Sequence, residues 1–258
     1  MAGLPLSLSN RLQFPDMCGR GGLNYNWADV WQFLSLPDNP PDGGVRILNL
    51  SPSRRQGGEV HWSRVPVVRN TPRGRVLDEL VWPLVPPWLR GQLPKFSTAN
   101  CRSESDRPFA DVVAGKPAFR NAWKKQRRCL VPFSHFFEWD QRTRPKQPWR
   151  VEAAHTPVLP LAGLWEQSPG PNGSPLESFT LITTSPNRLL KAIGHHRSPV
   201  VIDREDHEQW LAGTDEEAQA LLVPPPDDFL RAWKVTTRVN NPGYQEPDLL
   251  QTTEPREV

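Results

Sequence analysis

Apolar residues in this chain fall in short runs separated by turn-forming clusters, a pattern of strands rather than long helices. The predicted strands are Val45–Leu50, Arg64–Val68, Arg75–Leu84, Cys129–Phe133, His135–Trp139, Trp149–Glu152, Val158–Trp165, Ser178–Thr183, Ser198–Ile202 and Trp233–Val239. Helical spacing is rarer. Trp27, Val30, Trp31 and Leu34 form one stripe behind a capping Asn26, and a second helix covers Pro117–Gln126. A third opens at Ser185-Pro186-Asn187 and stops at Gly194. Asp203 caps a helix carrying Trp210, and Thr214 with Glu217 forms a capping box for the last. Polar, Pro- and Gly-rich loops are expected at 37–44, 53–58, 97–104 and 168–175. The expectation is an α+β domain, dominated by mixed or antiparallel sheets with short peripheral helices.

Composition sharpens this picture. The chain has 258 residues, with 30 Pro and 11 Trp against two Tyr and two Met. So much Pro argues against a long-helix bundle and for short strands, turns and ordered loops. The length favours one compact domain, read as residues 17–241, with 1–16 as a leader and 242–258 as a tail. A net charge of +3 permits a local nucleic-acid patch without establishing one. Cys18, Cys101 and Cys129 make no CxxC pair, which argues against a disulfide scaffold or structural zinc and for a reducing compartment. No metal or cofactor is expected. No apolar run approaches the roughly 20 residues of a membrane span. Residues 1–16 lack the basic and apolar regions of a secretory signal, so a cytoplasmic, nucleoid-associated protein is expected.

Met17-Cys18-Gly19-Arg20 raises a chemical possibility. If translation starts at Met17, loss of that Met leaves Cys18 with a free α-amine beside its thiol. An α-amine has a pKa of about 8 against roughly 10.4 for Lys, so more of it is nucleophilic at neutral pH. Such a group suits aldehyde capture, through a Schiff base closed by the thiol into a thiazolidine. The missing targeting logic in the leader favours a start at Met17. The structural alternative for Cys18 is a core thiol. Asn100 also reads as a turn residue, and His195, beside His196, as a surface histidine. Glu138 lies in Phe136-Phe137-Glu138-Trp139, where burial without a partner is costly and strand alternation offers a solvated face instead. Arg120, Lys124, Lys125, Arg127 and Arg128 around Trp123 could bind phosphate or form a solvated helix face. Thr183-Thr184-Ser185-Pro186-Asn187 offers helix-start N–H groups to an anion.

Taken in order, these stretches resemble the SRAP family of abasic-site DNA–protein crosslinking proteins. The resemblance runs through Met17-Cys18-Gly19-Arg20, Leu48-Asn49-Leu50-Ser51-Pro52, Trp82-Pro83-Leu84-Val85-Pro86 and Asn100-Cys101-Arg102-Ser103-Glu104. It continues through Arg128-Cys129-Leu130-Val131-Pro132, Phe137-Glu138-Trp139, Leu161-Ala162-Gly163-Leu164-Trp165 and Thr183-Thr184-Ser185-Pro186-Asn187. His195-His196-Arg197-Ser198-Pro199 and Thr237-Arg238-Val239-Asn240 complete it. It implies capture of the ring-opened sugar of an abasic site in single-stranded DNA by a monomer. Cys18 would be the nucleophile, Asn100 would orient the amine or sugar oxygen, and Glu138 would move protons. His195 would be a second acid–base group. Arg20, Arg102 and Arg197 would hold phosphates, Pro52 and Trp139 would wedge or stack, and Trp82 and Thr184 would also contact DNA. The chain departs from the family pattern at Ser198 (commonly Met), Pro83 (commonly Gly) and Ser134-His135 (commonly an Asp/Gly pair). Two other functions fit the same residues: a thiol peptidase or self-processing enzyme using Cys18, Glu138 and His195, and a non-covalent reader of modified or single-stranded DNA.

Overall fold

The computed structural model describes residues 19–104, 107–170 and 173–253; the leader, Cys18 and residues 254–258 of the tail lie outside the described residues. The chain begins with β1 (Gly21–Asn26), α1 (Trp27–Leu34) and β2 (Gly44–Leu50). A small hairpin of β3 (Arg54–Gln56) and β4 (Glu59–His61) leads into β5 (Ser63–Thr71) and β6 (Gly74–Trp82). After β7 (Asn100–Arg102) come α2 (Phe109–Ala114) and α3 (Pro117–Lys124). The strands β8 (Arg128–Phe133), β9 (His135–Trp139), β10 (Pro148–Ala153), β11 (Leu159–Pro169) and β12 (Pro175–Thr184) follow. The last part holds α4 (Arg188–Ala192), β13 (Ser198–Pro199), α5 (His207–Ala212), α6 (Asp215–Ala220) and β14 (Leu230–Lys234).

Two sheets carry the fold. One is antiparallel in the order β14-β10-β9-β1-β2. In the other, β11-β8-β5-β6-β12 closes on itself because β12 also pairs with β11, while β7 and β13 attach to β12. The β12–β6 and β12–β7 pairs are parallel and the rest antiparallel, which makes the second sheet mixed. β8 is buried at every position, as a strand in the wall of a closed sheet covered on its outside must be. Its outer cover is α5, whose Trp210 is fully buried and donates its indole N–H to Cys129 O at 2.9 Å. The main core lies inside the ring and between it and the inner face of the five-stranded sheet, joining Phe133, Trp82 and Phe179 to Phe136 and Val151. A second, smaller core on the outer face of that sheet joins Leu48, Phe137, Val235, Val239 and Leu249. The segment after Pro242 packs there, with the Gln245 side chain bonded to the backbone of Leu48 and Asn49.

Several sequence expectations shift. Residues 53–58 supply β3 and the turn of the β3–β4 hairpin, at Gly57 and Gly58, whose φ angles of +61° and +88° suit glycine. The middle of 97–104 is β7 rather than loop, because its backbone adds to the edge of β12. The strand pairing of β11 and β12 runs out to Pro169 and Pro175, which shortens the hairpin loop; Pro171 and Asn172 in it lie outside the described residues. Ser198–Ile202 reduces to β13 plus a bridge at Val201, and the last strand ends at Lys234, with a 3-10 turn at Thr237–Asn240 beyond it. Asn187, not Ser185, caps α4, accepting from Leu190 N at 3.1 Å. The capping box of α6 forms as the sequence predicts. Much of the basic run is structural: Arg128 is buried and pairs with Asp215, Trp123 is buried, and Arg127 pairs with buried Glu166.

Two predictions follow from the core. Trp82 is fully buried, stacked near Phe179 and bonded through its indole N–H to Ala99 O at 3.0 Å. Trp82→Phe is expected to cost about 1–3 kcal/mol in chemical denaturation, through the lost bond and volume. Burial also pulls the imidazoles of His135 and His207 down from 6.5 to about 4. The unfolded chain therefore takes up these protons first as pH falls from 6.5, so stability drops across pH 6.5 to 4 and flattens below. Urea unfolding at a series of pH values should show this slope, and His207→Gln should reduce it.

Candidate active site

Along β9 the side chains alternate, and the register decides their fates. His135 and Phe137 face the outside of the five-stranded sheet, while Phe136 and Glu138 face inward. Glu138 is only 3% exposed, so the solvated face read as an alternative is excluded. It reaches the floor of a cleft of about 460 Å³ where the two sheets part. The opposite wall is Thr98, Ala99 and Asn100, leading into β7. Buried Trp82 fixes that wall through its bond to Ala99 O. Pro52, Phe96, Trp139, Arg54 and Lys146 form the rim, and Gly19 and Arg20 lie in the lining. Cys18 lies outside the described residues; its neighbour Gly19 is at the cleft.

His195 backs Glu138 from the side of the ring sheet. Gly194, at φ +82°, ends α4 and turns the chain so that His195 enters the protein, with its N–H on Leu190 O at 2.8 Å. A Cβ at Gly194 would sit 2.4 Å from Asp140 Oδ1, so the Asp140–Arg142 pair would have to shift for it, while the positive φ itself favours glycine. The His195 side chain is wholly buried, and its Nε2 lies 3.0 Å from Glu138 Oε2. The contact lies off the line of a straight hydrogen bond, a looseness common in unliganded catalytic sites. Nδ1 lies 3.0 Å from Arg197 O and 3.4 Å from Arg197 N, which hold the ring in place in either tautomer. An unprotonated Nε2 facing an ionised carboxylate would set lone pair against lone pair. The arrangement places an imidazole and a carboxylate against each other behind the cleft, out of solvent.

Arg20 is placed differently from a simple phosphate ligand. Its guanidinium donates to Asn49 Oδ1 at 3.0 Å, Val239 O at 2.8 Å and Asn240 O at 3.3 Å. Burial and nearby Arg54 pull its pKa down to about 10. These bonds tie the start of the described chain to the 3-10 turn before Asn241. Trp139 donates to Asn240 Oδ1 at 2.8 Å, which holds its ring at the rim. Arg102 is exposed on β7, whereas Arg197 is buried, 3.6 Å from Glu104 and 3.2 Å from His196.

Two predicted contacts are corrected. Trp82 has no exposed face on which a base could stack. Thr184 is 4% exposed, with its hydroxyl on Leu222 O at 3.3 Å, so it cannot reach a nucleic acid. The anion site at the start of α4 is already filled: Asn187 Oδ1 accepts from Leu190 N and Asp227 Oδ1 from Arg188 N. Among cleft residues, Arg54, Lys146 and Phe96 escaped the sequence reading. Arg54 sat in a stretch read as loop, and Phe96, 49% exposed, was an aromatic without periodic context. Cys101 and Cys129 are wholly buried, and burial raises both thiols, Cys101 to about 12, which makes them inert. No helix among the described residues is long and apolar enough to cross a membrane.

Known proteins resemble this chain in sequence and fold. The Bacillus subtilis abasic site processing protein YoqW is 31% identical over 242 residues, covering 92% of this chain and 100% of YoqW. The Gallus gallus abasic site processing protein HMCES is 30% identical over 281 residues, covering 94% of this chain and 80% of its own. A solved Bordetella bronchiseptica protein has the same fold, with a TM-score of 0.68 at 22% identity over 85% of this chain and 100% of that one. The family described as SOS response associated peptidase (SRAP) matches residues 17–242, a span that includes both walls and the floor of the cleft, and the chain belongs to it.

Proposed function

We propose that this protein captures abasic sites in single-stranded DNA as a covalent thiazolidine through Cys18, once that residue is the N-terminus. The observation that carries the reading is the convergence of Gly19, Asn100 and Glu138 on one cleft, with His195 3.0 Å behind Glu138. Relatives named abasic site processing proteins support the choice of lesion. The α-amine of Cys18 attacks C1 of the ring-opened sugar to give a carbinolamine. Glu138, supplied by His195, gives a proton to the departing hydroxyl, and water leaves. The Cys18 sulfur then adds to the resulting C=N carbon, closing the ring, and its proton returns to the Glu138–His195 pair. One C–N and one C–S bond form, and one water is lost. Asn100 orients the amine or sugar oxygen from the facing wall. Pro52 and Trp139 flank the gap left by the missing base, with Phe96 exposed beside them. Arg54, Lys146 and Arg102 supply charge for the phosphates, and Arg20 and Arg197 act from more enclosed positions. The protein works as a monomer in the cytoplasm at the nucleoid, without a cofactor.

The test is intact-mass spectrometry of a chain starting at Cys18, incubated with single-stranded DNA bearing one abasic site. The expected product is protein plus oligonucleotide minus one water, stable to denaturation. Cys18→Ser should give none of it, and Glu138→Gln should form it about 10²–10⁴-fold more slowly. Salt-sensitive binding without any adduct would identify a non-covalent reader instead. The chain expressed from Met1 tests self-processing: loss of residues 1–17 in wild type but not in Glu138→Gln would show that the same site cuts before Cys18.

A second prediction concerns how His195 is held. Gly194→Ala should cost about 1–3 kcal/mol of stability, from its positive φ and the clash with Asp140. By displacing His195 it should also slow adduct formation by about 10- to 100-fold, read as single-turnover rates at saturating DNA.

A further inference from the structure

The outer face of the five-stranded sheet is only half covered. The small core of Phe137, Leu48 and Leu249 closes the end nearest the catalytic cleft. The other end opens as a second cleft of about 430 Å³, lined by polar residues including Asn24, Ser134, Arg150, Glu152, His155 and Arg231. Register places its charges in a row across the strands. Arg231 on β14 is opposite Glu152 on β10, and Asn24 on β1 is opposite Arg46 on β2. Between them lie Arg150 and His135, on the same face.

Charge in this row does not balance internally. One carboxylate serves two guanidiniums: Glu152 Oε1 lies 2.8 Å from Arg231 Nη2, and Oε2 lies 3.4 Å from Arg150 Nη2. Both guanidiniums pack on Trp233, at 4.9 and 5.0 Å from its ring centroid, which fixes them in place. Arg150 is 13% exposed, donates once to Leu250 O at 2.8 Å, and has a buried Nε with no acceptor among the described residues. A guanidinium desolvated this far with an unmet donor favours an added anion. Burial is the main force pulling its pKa down, with Arg231 adding to it. His135 stays neutral and bonded to Leu48 O at 3.1 Å, so it adds no opposing charge. Arg46 is exposed at the far end of the row.

We propose that this row, Arg231, Arg150, Asn24 and Arg46, is a second anion-binding surface that holds phosphate groups, most naturally those of an extended nucleic-acid strand. At about 4.8 Å between strands it spans roughly 19 Å, a length of extended backbone rather than a single ion. The inference extends the DNA-capture reading but does not use Cys18 chemistry.

The experiment therefore uses undamaged single-stranded DNA, so that its failure is separate from failure of crosslinking. Affinity is measured by fluorescence anisotropy across a salt series for wild type, for Arg46→Gln/Arg231→Gln, and for Arg73→Gln/Arg204→Gln as an equal-charge control on exposed positions away from both clefts. Losing two phosphate contacts should lower the slope of log K against log salt by about 1.4 in the first double variant and leave it unchanged in the control. A parallel arm measures thermal stabilisation by inorganic phosphate against chloride at equal ionic strength. Stabilisation lost in Arg46→Gln/Arg231→Gln without a change in the DNA slope assigns the same surface to free phosphate. Unchanged slope together with no phosphate effect overturns the proposal.

Discussion

A carboxylate buried in an aromatic strand is the constraint on which this structure depends. Glu138 sits between Phe137 and Trp139 with almost no access to water, and an isolated charge there would cost more than a domain of this size can spare. The fold answers with His195, delivered from the other sheet by a turn at Gly194 whose positive φ favours glycine. The two sheets therefore meet at a polar pair as well as at an apolar seam. Because one partner comes from β9 and the other from the loop before β13, the relative placement of the sheets fixes the geometry of the pair. The cleft is the place where those sheets part, so chemistry and architecture share one boundary.

The segment that follows Cys18 is controlled from the far end of the chain. Arg20 reaches Asn49 and the carbonyls of Val239 and Asn240, and Asn240 in turn holds Trp139. Gln245 then bonds the backbone of Leu48 and Asn49, so the C-terminal segment braces β2 from outside. These links make Arg20 a clamp as much as a charge. The same segment covers only the cleft end of the outer face, which leaves the arginine row uncovered at the other end.

Strand positions were legible in the sequence because alternation and Pro/Gly punctuation are local. β9 matched its predicted range residue for residue, and the capping box of α6 formed as read. What local pattern could not supply was which strands pair. Nothing near Asn100 shows that β7 adds to β12, and a polar stretch with an unpaired edge to join looks like loop. The errors at Trp82 and Thr184 share that cause. Both stand in matched motifs, but one is the core support for Ala99 and the other lies beneath Leu222, and burial is a property of the assembled sheets. Glu138 was flagged by its unfavourable surroundings, which is the kind of local conflict that marks a functional site. Its partnership with His195 was invisible, since 57 residues of sequence and a sheet boundary separate them.

The central claim is that Glu138 and His195 act as one proton-transfer unit. A double-mutant cycle on the single-turnover rate of adduct formation, with Glu138→Gln, His195→Gln and both together, tests it most directly. Acting as a unit, the pair predicts a double variant about as slow as the slower single variant. Losses that multiply in the double variant would contradict the account and make the two residues independent.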